Sequence, residues 1–149
     1  MQAQILAPAA VLVAWTLVML VWAVVIRIQA LGEMGQKASE AKPGGRGQDL
    51  DGVLPDTVNW KAHNYGHLVE QPTLFYAVVA ILAIMGPTAN DTLLAWAYVA
   101  LRILHSLWQA LANRIPVRLG LFILSTIVLA ALAIRAIMVT LFTAPGVFA

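Results

Sequence analysis

The chain has no cysteine and few charged side chains, and both deficits narrow what it can be. Without cysteine there are no disulfide bonds and no protein thiolate for nucleophilic or metal chemistry. Charged residues make up 11% of the 149 residues and hydrophobic residues 61%, with a mean hydropathy of +0.83. The net charge of +2 comes without a basic cluster interleaved with aromatic side chains, so no nucleic-acid partner is expected. This composition is typical of an integral membrane protein.

Four apolar stretches account for most of the sequence. They cover about residues 7–27, 63–86, 92–112 and 117–142, and each is close to the roughly 20 residues that a helix needs to cross the hydrocarbon. The first lacks a basic leader and a small-residue cleavage site, so we interpret it as a retained span. A polar loop over about 28–61 separates the first two stretches. The sequence therefore predicts a single all-α domain over 1–149, an integral membrane four-helix bundle.

Basic side chains concentrate in the first and third loops, which lie on the same side of such a bundle. They are Arg27, Lys37, Lys42, Arg46, Lys61, Arg114 and Arg118. Because Lys and Arg favour the cytoplasmic side, we expect a multi-pass protein of a bacterial inner membrane, with both termini outside the cytoplasm. Arg135, far along the last stretch, is expected to extend toward the outer interface.

Ionisable and amide side chains recur at helical spacing inside the second and third stretches. One face of the second carries His63, His67 and Glu70, and one face of the third carries Tyr98, Arg102, His105 and Gln109. A charged side chain in hydrocarbon costs about 2.5–3.5 kcal/mol on insertion scales, so such residues face protein or a wet cavity. Glu70 and Arg102 fall at similar depth on antiparallel helices, so we predict an ion pair between them.

Other interpretations of these residues stay open beside a ligand site. One is that Glu70 and Arg102 only hold two helices or two subunits in register. A metal site of the three histidines and Glu70 is not predicted, because no His-Glu-x-x-His motif is present and Arg102 would repel a cation. Ser106 is set aside as a nucleophile, because its neighbour His105 points to a different helix face. A transporter is poorly supported, because the sequence lacks an inverted repeat.

Prolines and a glycine predict where the spans bend and end. Pro72 removes a backbone donor just after Glu70, so it should kink the second span and free a carbonyl near the polar residues. Gly86 and the proline that follows it should end that span, and Asn90 or Asp91 should cap the next helix.

Short motifs in the second and third stretches resemble those of a known membrane family. Residues 61–75 read Lys-Ala-His-Asn-Tyr-Gly-His-Leu-Val-Glu-Gln-Pro-Thr-Leu-Phe. This stretch resembles the Arg-Ala-x-x-Asn-x-x-Glu motif, followed by Pro and Phe, of the MAPEG family (membrane-associated proteins in eicosanoid and glutathione metabolism). Arg102-Ile103-Leu104-His105 and the later Pro116-Val117-Arg118 are similar to the prostaglandin E synthase branch of that family. The resemblance covers nearly the whole chain.

The resemblance implies a homotrimer of four-helix protomers, with glutathione as co-substrate bound between subunits near the cytoplasmic face. It implies that Arg118 is the catalytic residue, because it matches the arginine that steadies the glutathione thiolate. The implied substrate-binding residues are His63, Asn64, His67, Glu70, Arg102, His105 and Gln109. Aligned on Glu70, His67 and His63 replace the family's Asn and its upstream Arg. Aligned instead on Ala62 and Asn64, the spacing from Asn to Glu is three residues longer than in the family. In the third stretch, Gln109 replaces a Tyr.

Two functions follow from the resemblance. The first is a glutathione-dependent membrane transferase or peroxidase that acts on lipophilic electrophiles arriving from the bilayer, with Arg118 stabilising the thiolate. The alternative is a non-catalytic lipid-binding or scaffold subunit of the same fold, which the replacements at His63, His67 and Gln109 favour. In both cases membrane lipid and a lipophilic small molecule are the expected partners.

Overall fold

The computed structural model describes residues 2–35 and 44–142, and all regular secondary structure in these ranges is helical. The helices are α1 (Gln2–Met34), α2 (Asp56–Glu70), α3 (Pro72–Met85), α4 (Ala89–Leu111) and α5 (Ile115–Leu141), with a 3-10 turn at Gly47–Leu50 before α2. The all-α prediction is therefore confirmed for the described part of the chain.

Helices α2 and α3 form one rod that is interrupted at Gln71. Pro72 has no N–H, so the carbonyl of Leu68 loses its helical donor. Gln71 keeps helical dihedral angles (φ −65°, ψ −41°), so the chain continues in nearly the same direction. The break lies at Pro72, where it was predicted, and it divides the span into a polar half and an apolar half, but the helical dihedral angles of Gln71 do not show the sharp kink that was also predicted.

The first and last helices occupy opposite corners of the bundle. Helix α1 packs against α2, α3 and α4, whereas α5 packs against α3 and α4. Helix α2 also contacts α4 directly, which brings the polar faces of these two helices together in the middle. On α1 the buried side chains Ile5, Leu12 and Met19 recur every seven residues, so one narrow stripe of that helix faces the core.

Three rods are long and apolar enough to cross a membrane: Ala3–Met34, Asp56–Met85 and Ile115–Leu141. Helix α4 was predicted as a fourth span and has a sufficient length of 23 residues, but it does not meet the same standard of apolarity. The reason is its polar face, on which Arg102, His105 and Gln109 are buried against the other helices. A helix enclosed by others does not need the hydropathy of one that faces lipid.

The turn between α3 and α4 differs in detail from the prediction. Gly86 ends α3 with a left-handed backbone (φ 88°), a conformation that glycine adopts readily at the end of a helix. The residue that caps α4 is Thr88, whose hydroxyl accepts from the Asp91 N–H at 3.3 Å. Asp91 does not cap the helix itself: its carboxylate accepts from the Thr88 N–H at 2.9 Å, which completes a reciprocal capping box.

Candidate functional site

A polar pocket of about 660 Å³ lies at the end of the bundle where α4 ends and α5 begins. Its charged walls are Arg27 from α1, Arg46 beside the 3-10 turn, Glu70 from α2 and Arg118 from α5. Three guanidinium groups thus face one carboxylate, so the pocket attracts anionic ligands. Its volume is within the range of roughly 300–1,000 Å³ that is usual for small-molecule sites.

Arg118 lies in the first turn of α5 and is held from the preceding loop. Its Nη1 donates to Asn113 Oδ1 at 2.7 Å, and Asn113 has the left-handed backbone (φ 48°) that asparagine tolerates. The guanidinium is therefore fixed near a helix N-terminus, where the helix dipole adds to its positive potential.

A second pocket of about 200 Å³ adjoins the same two side chains, Arg118 and His67. It is otherwise lined by His105 and by the apolar side chains Ile115, Leu119 and Phe122. Arg118 and His67 thus lie between a polar and a mainly apolar space.

His67 is oriented by two neighbours. Its Nδ1 lies 3.3 Å from Glu70 Oε2 on the same helix, one turn further on. Its ring meets that of His105 edge to face, with centroids 6.1 Å apart and planes at 88°. Glu70 has 70% of its side chain exposed, so this carboxylate is oriented toward the pocket and His67 without being buried.

The predicted ion pair between Glu70 and Arg102 is wrong. Glu70 pairs with His67 instead, and Arg102 Nη2 donates to the main-chain carbonyl of His67. The acceptor lies in the last turn of α2, next to the break at Pro72, where the main-chain carbonyls carry the negative end of the helix dipole. The buried guanidinium is therefore stabilised by a helix end rather than by a carboxylate.

Ser106 connects three helices and was missed as a structural centre by the sequence analysis. Its Oγ accepts from Trp15 Nε1 of α1 at 3.0 Å and from Asn64 Nδ2 of α2 at 2.9 Å. Asn64 is completely buried in this contact and lies outside the lining of both pockets. The sequence did contain a sign of this connection: Trp15, Asn64 and Ser106 carry polar groups within apolar helices. A polar group buried in such a helix needs a hydrogen-bond partner, and these three could have been expected to pair with one another.

The polar pocket collects five of the predicted site residues and separates three others from them. The residues that line the polar pocket are His63, His67, Glu70, Gln109 and Arg118. His105 lines only the second pocket. Arg102 and Asn64 are buried in the bundle and line neither pocket. His63 is half exposed, and its Nε2 lies 3.0 Å from Asp51 Oδ1.

Arg27 and Arg46 also line the polar pocket but were not predicted as site residues. Arg27 Nη2 donates to the Gly47 carbonyl at 2.9 Å, which ties the end of α1 to the 3-10 turn. The excess of basic residues in the first loop was their sequence signal, but it was used only to orient the chain.

Several buried polar atoms beside the pockets have no hydrogen-bond partner. They are Arg102 Nε and Nη1, His105 Nδ1, Gln109 Oε1 and Asn64 Oδ1. An unpaired buried group costs roughly 1–3 kcal/mol, and folded proteins pair nearly all of them. These atoms are the donors and acceptors beside the pockets that are free to contact a bound molecule. Within 2–35 and 44–142, no three His, Asp or Glu side chains are grouped as metal ligands would be.

An ion pair at the opposite end of the bundle corrects the prediction for Arg135. Its Nε and Nη2 donate to the two carboxylate oxygens of Asp91 at 3.0 and 3.3 Å. Asp91 is 1% exposed, whereas Arg135 keeps 41% of its side chain exposed. Arg135 therefore joins α5 to α4 rather than only extending toward the interface, because the buried carboxylate needs a cation.

Comparison with known proteins places the chain in one family. No curated protein and no solved structure matches it. The family model described as MAPEG family matches residues 5–138, which is nearly the whole chain. The chain, with its four helical rods and its polar site, therefore belongs to the MAPEG family.

Proposed function

We propose that the protein is a glutathione-dependent membrane transferase or peroxidase that acts on lipophilic electrophiles. Family membership supports the general class, because MAPEG proteins include glutathione-dependent transferases and peroxidases. The observation that carries the proposal is the position of Arg118, between the polar pocket and the mainly apolar one. A water-soluble thiol and a lipid-soluble acceptor would meet at this guanidinium.

The polar pocket fits the charges of glutathione, which has two carboxylates, one ammonium group and one thiol. Arg27 and Arg46 offer guanidinium donors for carboxylates, and Glu70 offers an acceptor for the ammonium group. The buried Oε1 of Gln109, which has no partner, would accept from a ligand N–H. These residues would hold the peptide with its sulfur toward Arg118.

Arg118 would act by electrostatic stabilisation of the thiolate. A cation beside a thiol raises the fraction present as thiolate, and the thiolate is the nucleophile. The acceptor would come from the bilayer along the side of the bundle where Ile115, Leu119 and Phe122 are exposed. The proposed assembly is a homotrimer in a bacterial inner membrane, with the basic pocket end on the cytoplasmic side and the termini outside.

The test is the thiolate absorbance in the ultraviolet when glutathione is added to the purified protein, together with turnover of an aryl halide. We expect Arg118→Ala to lower kcat by about 100-fold to 1,000-fold, as removal of one stabilising donor typically does, and to abolish the thiolate signal. Arg114→Ala is the matched control, because Arg114 is an exposed arginine just before α5, one turn from Arg118 and outside both pockets. Absence of a thiolate signal in the unmodified protein at millimolar glutathione would refute the proposal.

A second candidate function, lipid binding without catalysis, is favoured by an apolar groove between α3 and α5. The groove has a volume of about 390 Å³, and Leu74, Val78, Leu129 and Ala133 are among its walls. Its shape and chemistry would suit an acyl chain. Lipid that co-purifies in stoichiometric amount, with no bound glutathione, would support this function, whereas glutathione turnover would eliminate it.

A further inference from the structure

The pairing of His67 with Glu70 has a consequence beyond the binding of a thiol. A neutral imidazole that donates from Nδ1 to a carboxylate has its lone pair on Nε2. Nδ1 is the ring nitrogen of His67 that faces a carboxylate, at an ion-pair distance of 3.3 Å from Glu70 Oε2, and the ring lines both pockets together with Arg118. The free nitrogen is thus available at the place where thiol and acceptor would meet.

We propose that His67 is a proton carrier of this site, which takes the thiol proton on Nε2 and returns it to the leaving oxygen of a hydroperoxide. The inference rests on the proposed function and adds a substrate preference to it. Arg118 stabilises the negative sulfur, but a guanidinium does not take up a proton near neutral pH. The thiol proton therefore passes either to solvent or to another side chain, and His67 is the imidazole that lines the same two pockets as Arg118.

The surroundings of His67 contain charges of both signs. Glu70 faces it from α2, Arg102 and His105 from α4, and Arg118 from α5. The carboxylate favours a proton on the ring, and the two guanidinium groups oppose it. A neutral imidazole at this place is the form that can act as a base toward a thiol.

The proposed step with a hydroperoxide is balanced in atoms and electrons. His67 Nε2 takes the thiol proton, the sulfur lone pair forms a bond to the terminal oxygen, and the O–O bond breaks. The departing alkoxide takes the proton from His67 and leaves as an alcohol. The sulfenic acid of glutathione then condenses with a second glutathione to give the disulfide and water, so two thiols are oxidised and the hydroperoxide is reduced.

An aryl chloride places a smaller demand on the same residue. Chloride leaves with its bonding electrons and needs no proton, so His67 serves only in forming the thiolate. The two substrate classes should therefore respond differently when His67 is replaced. Asparagine is the informative replacement, because it can still donate to Glu70 and cannot carry a proton. Arg102 binds the main-chain carbonyl of residue 67, so this contact is kept in the variant.

The first experiment measures proton release with a pH indicator when glutathione is mixed with the purified protein in weak buffer. S-methylglutathione, which has no thiol proton, gives the background. We expect thiolate formation with little proton release in the unmodified protein, and release approaching one proton per thiolate in His67→Asn. Full release by the unmodified protein would overturn the inference, although it would leave thiolate formation by Arg118 intact.

The second experiment compares kcat for a lipid hydroperoxide and for an aryl chloride. We expect His67→Asn to lower hydroperoxide turnover by about 100-fold, the usual lower range for loss of acid–base catalysis, and to lower aryl chloride turnover much less. Glu33→Gln, which changes an exposed side chain on α1 outside both pockets, is the control and should change neither rate. Equal losses on both substrates would refute the inference, and His67→Gln repeats the test if the first variant is poorly folded. Absence of all glutathione turnover in the unmodified protein would refute the proposed function itself.

Discussion

Replacement of Ser106 by alanine should destabilise the bundle more than the loss of one hydroxyl group suggests. The Ser106 oxygen accepts from Trp15 Nε1 and from Asn64 Nδ2, and it is completely buried. Alanine would leave both donors without a partner in the interior. Interhelical hydrogen bonds in membrane proteins contribute about 0.6 kcal/mol on average and about 1.7 kcal/mol at most. Loss of the two bonds should therefore cost about 1–3 kcal/mol in the free energy of unfolding.

The assay is reversible unfolding in mixed micelles with increasing denaturing detergent, followed by tryptophan fluorescence and helical circular dichroism. Ser125→Ala is the matched control: Ser125 is also completely buried, but its hydroxyl only donates to the Phe122 carbonyl of its own helix at 2.9 Å. We expect Ser125→Ala to change stability by a few tenths of a kcal/mol. If Ser106→Ala is no more destabilising than Ser125→Ala, the three-helix connection does not contribute as argued.

Two further predictions concern the turn between α3 and α4, at the end of the bundle away from the polar pocket. Asp91→Asn should lower the free energy of unfolding by about 1–3 kcal/mol, because it weakens the charge-assisted bonds to Arg135. In a double-mutant cycle with Arg135→Met, the two losses of stability should be non-additive, and strict additivity would contradict the ion pair. Gly86→Ala should cost about 1–2 kcal/mol from backbone strain alone, because φ is 88° and an added Cβ meets no atom within 4 Å. Gly120→Ala, at a helical glycine with equally open space, should instead stabilise by about 0.5–1 kcal/mol, and equal effects at the two glycines would contradict the strain argument.

Periodicity in the sequence was sufficient to predict the helices and the polar faces. The spacing on α4 correctly predicted that Arg102 and His105 are turned to the interior. The spacing on α2 correctly put His67 and Glu70 on one face, but that face borders the open polar pocket, and Glu70 is 70% exposed. The interruption before Pro72 was also predictable, because it follows from the missing N–H of one residue type. These features depend on local geometry, which repeats every 3.6 residues.

The partners of the buried charges could not be predicted in the same way. Depth matching assigned Arg102 to Glu70, but a main-chain carbonyl has no signature in the sequence and competes for the same guanidinium. The pair of Asp91 and Arg135 was missed because each residue had an adequate separate explanation, as a cap and as an interface residue. The rotation of each helix about its axis decides between such partners, and periodicity does not determine how two faces are opposed.

Because Arg102 binds the main chain, its anchor in the bundle does not depend on which side chain stands at position 67. The central cation depends on a peptide group that every amino acid supplies, so the side chains at 67 and 70 can be exchanged during evolution without loss of that anchor. A histidine at position 67 offers a bound molecule different chemistry from an amide at the same place, while the scaffold stays intact. New reactivity can arise in such a protein by single replacements along one helix, without compensating changes elsewhere.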